Sequence, residues 1–80
     1  MNINLQTRIT LDPQIMTGKP IIRGTRIPVD MIVRMVAQGI GESEIMEEYP
    51  RLTHDDIKAA LVYAAEVVSD EDVFLVAATA

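Results

Sequence analysis

The sequence predicts a mainly α-helical domain, in which a short β-strand or hairpin comes first and a three-helix bundle of helix-turn-helix outline follows. Apolar and polar residues alternate over residues 8–12, which is the period of a half-buried strand. Over residues 29–40 and 57–68, apolar residues recur at the spacing of one helical face. The 80 residues leave room for a single domain. We expect it to comprise a β-element at 1–28, three helices at 29–68 and an apolar tail at 69–80.

Two signals predict the β-element. The alternating run at residues 8–12 ends at Pro13, because proline cannot donate a hydrogen bond to a strand ladder. Further along, a glycine at the first position of a two-residue loop suits a type II′ turn. Gly24-Thr25 therefore predicts a hairpin between residues 21–23 and 26–27.

In that hairpin Arg23 and Arg26 stand opposite each other, about 5 Å apart at their Cβ atoms. Like charges in this arrangement repel each other, so an anionic group is expected between them. Three anions remain open at this point: the chain's own Asp30, a carboxylate of a partner protein and a DNA phosphate.

The first helix is predicted to begin at Val29. Pro28 suits the first turn of a helix, and Asp30 is favourable near the positive end of the helix dipole. Gly39 and Gly41 mark the end of the helix. Its apolar face is formed by Val29, Ile32, Val33, Val36 and Ile40.

Two further helices follow. A short one at residues 42–49 ends before Pro50, because the residue before a proline is driven out of helical geometry. The longer last helix begins after Thr53, which with Asp56 approximates a capping box, and it fades at Ser69-Asp70. Its apolar face is formed by Ile57, Ala60, Leu61, Ala64 and Val68.

Composition and charge narrow the classes of function. Cysteine is absent, which excludes disulfides and thiolate metal sites and fits a reducing cytoplasm. With no secretory signal and no apolar run near the roughly 20 residues of a membrane helix, we expect a cytoplasmic protein without membrane contact. Residues 1–40 carry five basic and two acidic side chains, residues 41–80 two basic and ten acidic ones, and the net charge is −5. Any DNA contact must therefore come from the basic first half.

Catalysis is not expected. With a single histidine, His54, and no cysteine, Cys–His pairs and histidine-rich metal sites are excluded. His54 lies one residue after a helix cap, where exposure to solvent is usual. The acidic residues of the short helix form a solvated face rather than a metal site, since no residue recurs with ligand spacing. They are Glu42, Glu44, Glu47 and Glu48. No cofactor or metal is expected.

The last two helices form one candidate binding surface. A short helix, a turn at residues 50–52 and a capped longer helix have the outline of a helix-turn-helix, whose second helix reads base edges with its first residues. Here that start includes Asp55 and Asp56, whose carboxylates disfavour phosphate, and simple core packing is the alternative. The side chains expected to contact DNA are Lys19, Arg23, Thr25, Arg26, Arg51 and Lys58.

Apolar surface is the other candidate. Val62 projects on the polar side of the last helix, and the tail Val73-Phe74-Leu75-Val76 adds more apolar area than so small a core can hide. Exposed apolar patches usually mark an interface, and an extended terminal segment can add a strand to a partner's sheet. The alternatives are a tail that folds back on its own helices and a structural homodimer in which the tails pair.

Two blocks of sequence resemble the prokaryotic domain-of-unknown-function family 433: GKPIIRGTRIPVDMIV at 18–33 and EYPRLTHDDIKAALVYAAE at 48–66. The match runs from about Ile9 to Glu66. The resemblance implies homeodomain-like helices and a VapB-type antitoxin, which binds a toxin with a PIN-like ribonuclease fold, represses its own operon and forms a homodimer. Antitoxins of such nucleases often place an arginine in the acidic site. Because no Lys or Arg follows Glu66, either the tail covers that site or the Arg23–Arg26 turn supplies the cation.

Overall fold

The computed structural model describes residues 5–14 and 18–70. A short antiparallel β-element followed by three helices is confirmed, and the domain is mainly helical. The four-residue helix α1 is not among the predicted elements, because four residues are too few to show a helical period. The elements are α1 (Leu5–Arg8), β1 (Ile9–Leu11), β2 (Pro20–Ile22), α2 (Val29–Ala37), α3 (Glu42–Glu48) and α4 (His54–Asp70).

The strand pairing differs from the predicted hairpin. β2 pairs with β1, in an antiparallel register that places Ile9 beside Ile22 and Leu11 beside Pro20. A single isolated bridge, between Ile21 and Pro28, joins β2 to the chain that follows it. The expected pairing of residues 21–23 with 26–27 is limited to this bridge and to the hydrogen bond that the Ile22 amide donates to the Ile27 carbonyl at 3.0 Å, whereas the longer ladder joins β1 to β2.

The turn after β2 begins one residue earlier than predicted. The amide of Thr25 donates to the carbonyl of Ile22 at 3.0 Å, so Arg23 and Gly24 are the central residues. Gly24 has a φ of 82°, the conformation required at the third position of a type II turn. The Thr25 hydroxyl strengthens the turn by donating to the same carbonyl at 2.7 Å. Arg23 and Arg26 consequently do not face each other across a ladder, contrary to the prediction.

The core lies mainly between α2 and α4. Ile32 of α2 and Ile57 of α4 are fully buried, and α3 adds Ile45 from the side. Ala59 and Ala60 are also inaccessible to solvent, and their small side chains allow α4 to lie close to its neighbours. None of the helices in the described part of the chain combines the length and apolar character needed to cross a bilayer.

The end of α2 is set by Gly39, as predicted. Its amide donates to the carbonyl of Val36 at 3.0 Å, and the amide of Ile40 donates to that of Met35 at 3.1 Å. This pair of hydrogen bonds is a Schellman motif, and its left-handed residue is Gly39, with a φ of 86°. The motif reverses the chain toward α3.

Candidate functional site

The beginning of α4, which the helix-turn-helix interpretation assigns to DNA reading, is engaged within the chain itself. The Asp56 carboxylate accepts from the Thr53 amide at 3.0 Å, and the Thr53 hydroxyl accepts from the Asp56 amide at 3.1 Å. The predicted capping box is thus confirmed. Arg8 donates to the same Asp56 carboxylate at 2.9 Å and lies 3.5 Å from that of Asp55. Asp56 is only 8% exposed, so this carboxylate is not presented to a ligand.

His54, the next residue on this surface, is exposed, as predicted. Its Nδ1 atom lies 2.6 Å from Oε1 of Glu42, at the beginning of α3. This contact links the first turns of the two helices. The first turn of α4 therefore presents a carboxylate and an imidazole that contact other residues of the chain, and no lysine or arginine.

Of the side chains predicted to contact DNA, Lys19, Arg23 and Thr25 have partners within the chain, and the Thr25 hydroxyl bonds to the backbone of Ile22 and Ile27. Lys19 lies 3.4 Å from Asp30, which Arg34 also approaches at 3.8 Å. Asp30, one candidate for the anion between Arg23 and Arg26, is thus paired elsewhere.

Arg23 binds the backbone of the N-terminal segment. Its Nε donates to the Thr7 carbonyl at 3.2 Å and its Nη2 to the Ile9 carbonyl at 3.4 Å. Its amide donates to the Arg8 carbonyl at 2.8 Å. The Arg23 side chain therefore holds the turn after β2 against α1 and β1.

Arg26 and Arg51, by contrast, share an open groove of about 790 Å³. Arg26 follows the turn after β2, and Arg51 lies in the turn between α3 and α4. Both are exposed, and neither forms an ion pair or hydrogen bond with another residue in the described ranges. The remaining lining residues are Thr10, Ile21, Gly24, Thr25, Ile27, Pro28, Met31 and Tyr49. Lys58 lies outside this groove and is half-buried.

A second groove, of about 310 Å³, lies between α2 and the last turns of α4. On α4 it is bordered by Val67 and Val68, which are 39% and 66% exposed. Val68 was expected on the buried face of the helix. Because α4 has 17 residues and α2 only 9, α2 cannot cover the whole apolar stripe. The other lining residues are Pro20, Val29, Asp30, Val33, Arg34, Tyr63 and Ala64.

The residues predicted to contact a partner coincide only in part with this apolar groove. Val62 is half-buried and does not line it. Val73, Phe74, Leu75 and Val76 lie outside the described residues. The sequence predicted both the apolar repeat that reaches Val68 and the shorter length of α2, but it could not predict that α2 packs against α4 and leaves the end of that repeat exposed.

The two grooves lie on different sides of β2 and α2. Successive residues of a strand point to opposite faces, and Pro20 lines the apolar groove whereas Ile21 lines the arginine groove. On α2, Val29 and Val33 line the apolar groove, and Met31, about 200° away around the helix from Val29, lines the other. The domain thus presents two separate grooves, one bordered by Val67 and Val68 and the other by Arg26 and Arg51.

Comparison with known proteins gives one family and no assigned activity. The family model described as "Protein of unknown function (DUF433)" matches residues 9–64. "Uncharacterized protein y4eO" of Sinorhizobium fredii (strain NBRC 101917 / NGR234) is 38% identical over 56 residues, which are 70% of this chain and 25% of that protein. An "Uncharacterized protein" of Archaeoglobus fulgidus is 57% identical over 28 residues, 35% of this chain and 78% of that protein.

A solved structure extends the similarity to the fold. The crystal structure of a DUF433 member protein from Anabaena variabilis (ATCC 29413) is similar, with a TM-score of 0.74 and 37% sequence identity. The alignment covers 81% of this chain and 64% of that one. The chain therefore spans a quarter of the length of the Sinorhizobium relative and about two thirds of the Anabaena protein.

Proposed function

The chain belongs to the DUF433 family, and from its apolar groove we propose that it is an antitoxin-like module that neutralises a PIN-like ribonuclease toxin by direct contact. In this proposal it acts in the cytoplasm, by binding rather than by catalysis, and without a cofactor. Repression of its own operon and formation of a homodimer are further parts of the antitoxin hypothesis.

The observation that carries the proposal is the uncovered apolar stripe at the end of α4. Val67 and Val68 are exposed beside Tyr63 and Val33, which line the same groove. Contiguous apolar surface on a small domain usually marks a protein interface. The ion pair between Asp30 and Arg34 borders this groove, and a polar rim around an apolar centre is the usual anatomy of an interface.

The sequence that follows α4 also supports protein binding at this surface. The apolar run at residues 73–76, which is expected to contact a partner, begins three residues after Asp70, the last residue of α4. A partner that contacts Val67 and Val68 therefore binds residues that lie close in sequence to a second apolar segment.

DNA reading has less support as the main function. The first turn of α4 is occupied by Asp56, Arg8 and His54 with its partner, as described above. Lys19 and Arg23, expected on phosphates, are engaged within the chain. Protein binding is thus the function that the geometry favours.

The test is a co-purification of the tagged full chain expressed together with its neighbouring reading frames. The proposal expects a near-stoichiometric complex with a small, carboxylate-rich nuclease, whose RNA cleavage the chain inhibits. Val68→Lys should weaken both the complex and the inhibition by at least about tenfold, because it places a charge in a desolvated interface. Its folding should change little, since Val68 is 66% exposed.

Ala65→Lys is the matched control, because Ala65 is exposed on the same helix but does not line the groove. It should leave complex and inhibition unchanged. A chain that emerges alone as a dimer would instead favour the homodimer. A nuclease complex that tolerates Val68→Lys as well as Ala65→Lys would exclude this groove as the interface.

A further inference from the structure

We propose that the groove lined by Arg26 and Arg51 binds a phosphate monoester attached to a flat apolar body, such as a nucleoside 5′-phosphate. The proposal concerns the side of α2 that faces away from the apolar groove. It therefore goes beyond the proposed function and does not depend on it.

The first argument is the state of the two arginines. The chain has 12 acidic and 7 basic side chains, so carboxylates are in excess. Arg8, Arg23 and Arg34 all have anionic or carbonyl partners. Arg26 and Arg51, which come from different elements, share one groove without an ion pair to any described residue. Two like charges that share a groove repel each other, and an anion bound between them removes that repulsion.

The second argument is the match of charge and donors. Each guanidinium presents five N–H donors in a planar fork and carries one positive charge. A phosphate monoester carries a charge of about −1.5 to −2 near neutral pH and has three acceptor oxygens. A carboxylate has one negative charge and two oxygens, so it satisfies a pair of arginines less completely. The phosphate monoester is therefore the better match for Arg26 together with Arg51.

The third argument is the floor of the groove. Ile21 and Pro28 are buried there, and Met31 and Tyr49 are half-buried beside them. An apolar floor with a few polar groups at its rim is typical of small-ligand sites, and the volume of about 790 Å³ lies within their usual range. Bases stack well on aromatic side chains, so a flat apolar body suits this floor.

The acidic face of α3 restricts the source of the phosphate. Glu44, Glu47 and Glu48 are exposed on the helix that ends just before Tyr49. They repel an extended polyanion that continues past the groove in their direction. A free nucleotide or the terminal phosphate of a strand avoids that repulsion.

The experiment is a titration of the ¹⁵N-labelled full chain with adenosine 5′-monophosphate, followed by NMR. The amide signals of Gly24, Thr25, Arg26 and Arg51 should shift and saturate. Adenosine and inorganic phosphate should each bind at least about tenfold more weakly, because each lacks half of the contacts. Absence of saturable shifts up to about 10 mM nucleotide, or adenosine binding as tightly as the nucleotide, would overturn the proposal.

Variants locate the site. Arg26→Gln and Arg51→Gln should each weaken nucleotide binding about tenfold, through loss of a charge-assisted hydrogen bond. Lys58→Gln removes the same charge outside the groove and should have little effect. Both arginines are exposed, and an unchanged spectrum of each free variant verifies the fold. Equal weakening by all three substitutions would show a general charge effect and no site.

A pair of hexanucleotides distinguishes the two sources. A 5′-phosphorylated strand that binds more tightly than the free nucleotide identifies a strand end as the ligand. Weaker binding of that strand identifies the free nucleotide. A 5′-hydroxyl strand that binds as tightly as the phosphorylated one would contradict recognition of a phosphate monoester.

Discussion

At the scale of single residues, Asp56 joins two distant parts of the chain. It closes the capping box of α4 with Thr53 and accepts a hydrogen bond from Arg8, 48 positions earlier. The sequence predicted the capping box, because its spacing is local. It could not predict the ion pair, because the approach of Arg8 depends on how α1 packs against α4. Because of this packing, the acidic residues at the start of α4 bind Arg8 and join the N-terminal segment to the helix.

Asp56→Ala should lower the free energy of unfolding by about 2–3 kcal/mol. The substitution removes one half of the capping box, the hydrogen bond from the Thr53 amide to the Asp56 carboxylate, and leaves the half-buried Arg8 guanidinium without its shortest contact. Asp55→Ala is the control, since Asp55 is exposed and its contact with Arg8 is longer, and it should cost less than about 1 kcal/mol. Urea unfolding followed by circular dichroism measures both. Equal urea midpoints for the two variants would show that the buried contact adds nothing.

Gly39→Ala should destabilise the fold by about 1–2 kcal/mol, because a φ of 86° is unfavourable for any residue with a Cβ atom. The added methyl meets no atom within 4 Å, so the effect isolates backbone conformation from crowding. Gly41→Ala is the matched comparison, since Gly41 has a φ of −75° and equally open surroundings. It should change stability by no more than about 0.5 kcal/mol in thermal unfolding. A larger loss from Gly41→Ala than from Gly39→Ala would contradict this account.

At the scale of elements, predictability follows the range of the interactions that define each element. The limits of α2, α3 and α4 agree closely with the sequence, because Pro28, Gly39, Pro50 and Thr53 act locally. The turn after β2 is misplaced by one residue, since a glycine suits both the first position of a II′ turn and the third of a type II turn. Only the strand pairing, which is not local, decides between them.

The two grooves likewise could not be predicted from the sequence, because they depend on contacts between distant segments. Arg26 and Arg51 were both expected to meet an anion, but their common groove arises from the packing of one turn against another. Arg23 was placed in the same set, although it binds backbone carbonyls of Thr7 and Ile9. Residue type and charge therefore indicated that this surface binds an anion. The tertiary structure determines which of the predicted arginines are still available to contact one.

Ala60→Leu should destabilise the domain by about 1–3 kcal/mol, because Ala60 is fully buried where α4 packs against the core and a larger side chain displaces its neighbours. Ala65→Leu adds the same atoms on the exposed face of the same helix and should be nearly neutral. Urea midpoints of the two variants measure the difference. A tolerated Ala60→Leu would show that α4 does not need a small residue at this position.

At the scale of the whole molecule, four of the five basic side chains in residues 1–40 have partners within the fold: Arg8, Lys19, Arg23 and Arg34. The basic first half and the acidic second half meet where Arg8 contacts Asp55 and Asp56. Within the described residues, the basic side chains without an ion pair or hydrogen bond to another such residue are Arg26, Arg51 and Lys58. The domain thus presents far less positive charge to a polyanion than its first forty residues contain.

This count sets a limit on any association with duplex DNA, including an operator. Each phosphate that a cation neutralises contributes about −0.9 to the slope of log K against log salt, so three available cations allow a slope no steeper than about −3. Fluorescence anisotropy of a labelled duplex between about 50 and 200 mM salt measures it. Arg51→Gln should make the slope shallower by about one, whereas Arg34→Gln should leave it nearly unchanged, because Arg34 is paired with Asp30. A slope steeper than about −4 would require cations that are paired within the domain to exchange Asp30, Asp55 or Asp56 for phosphate on binding.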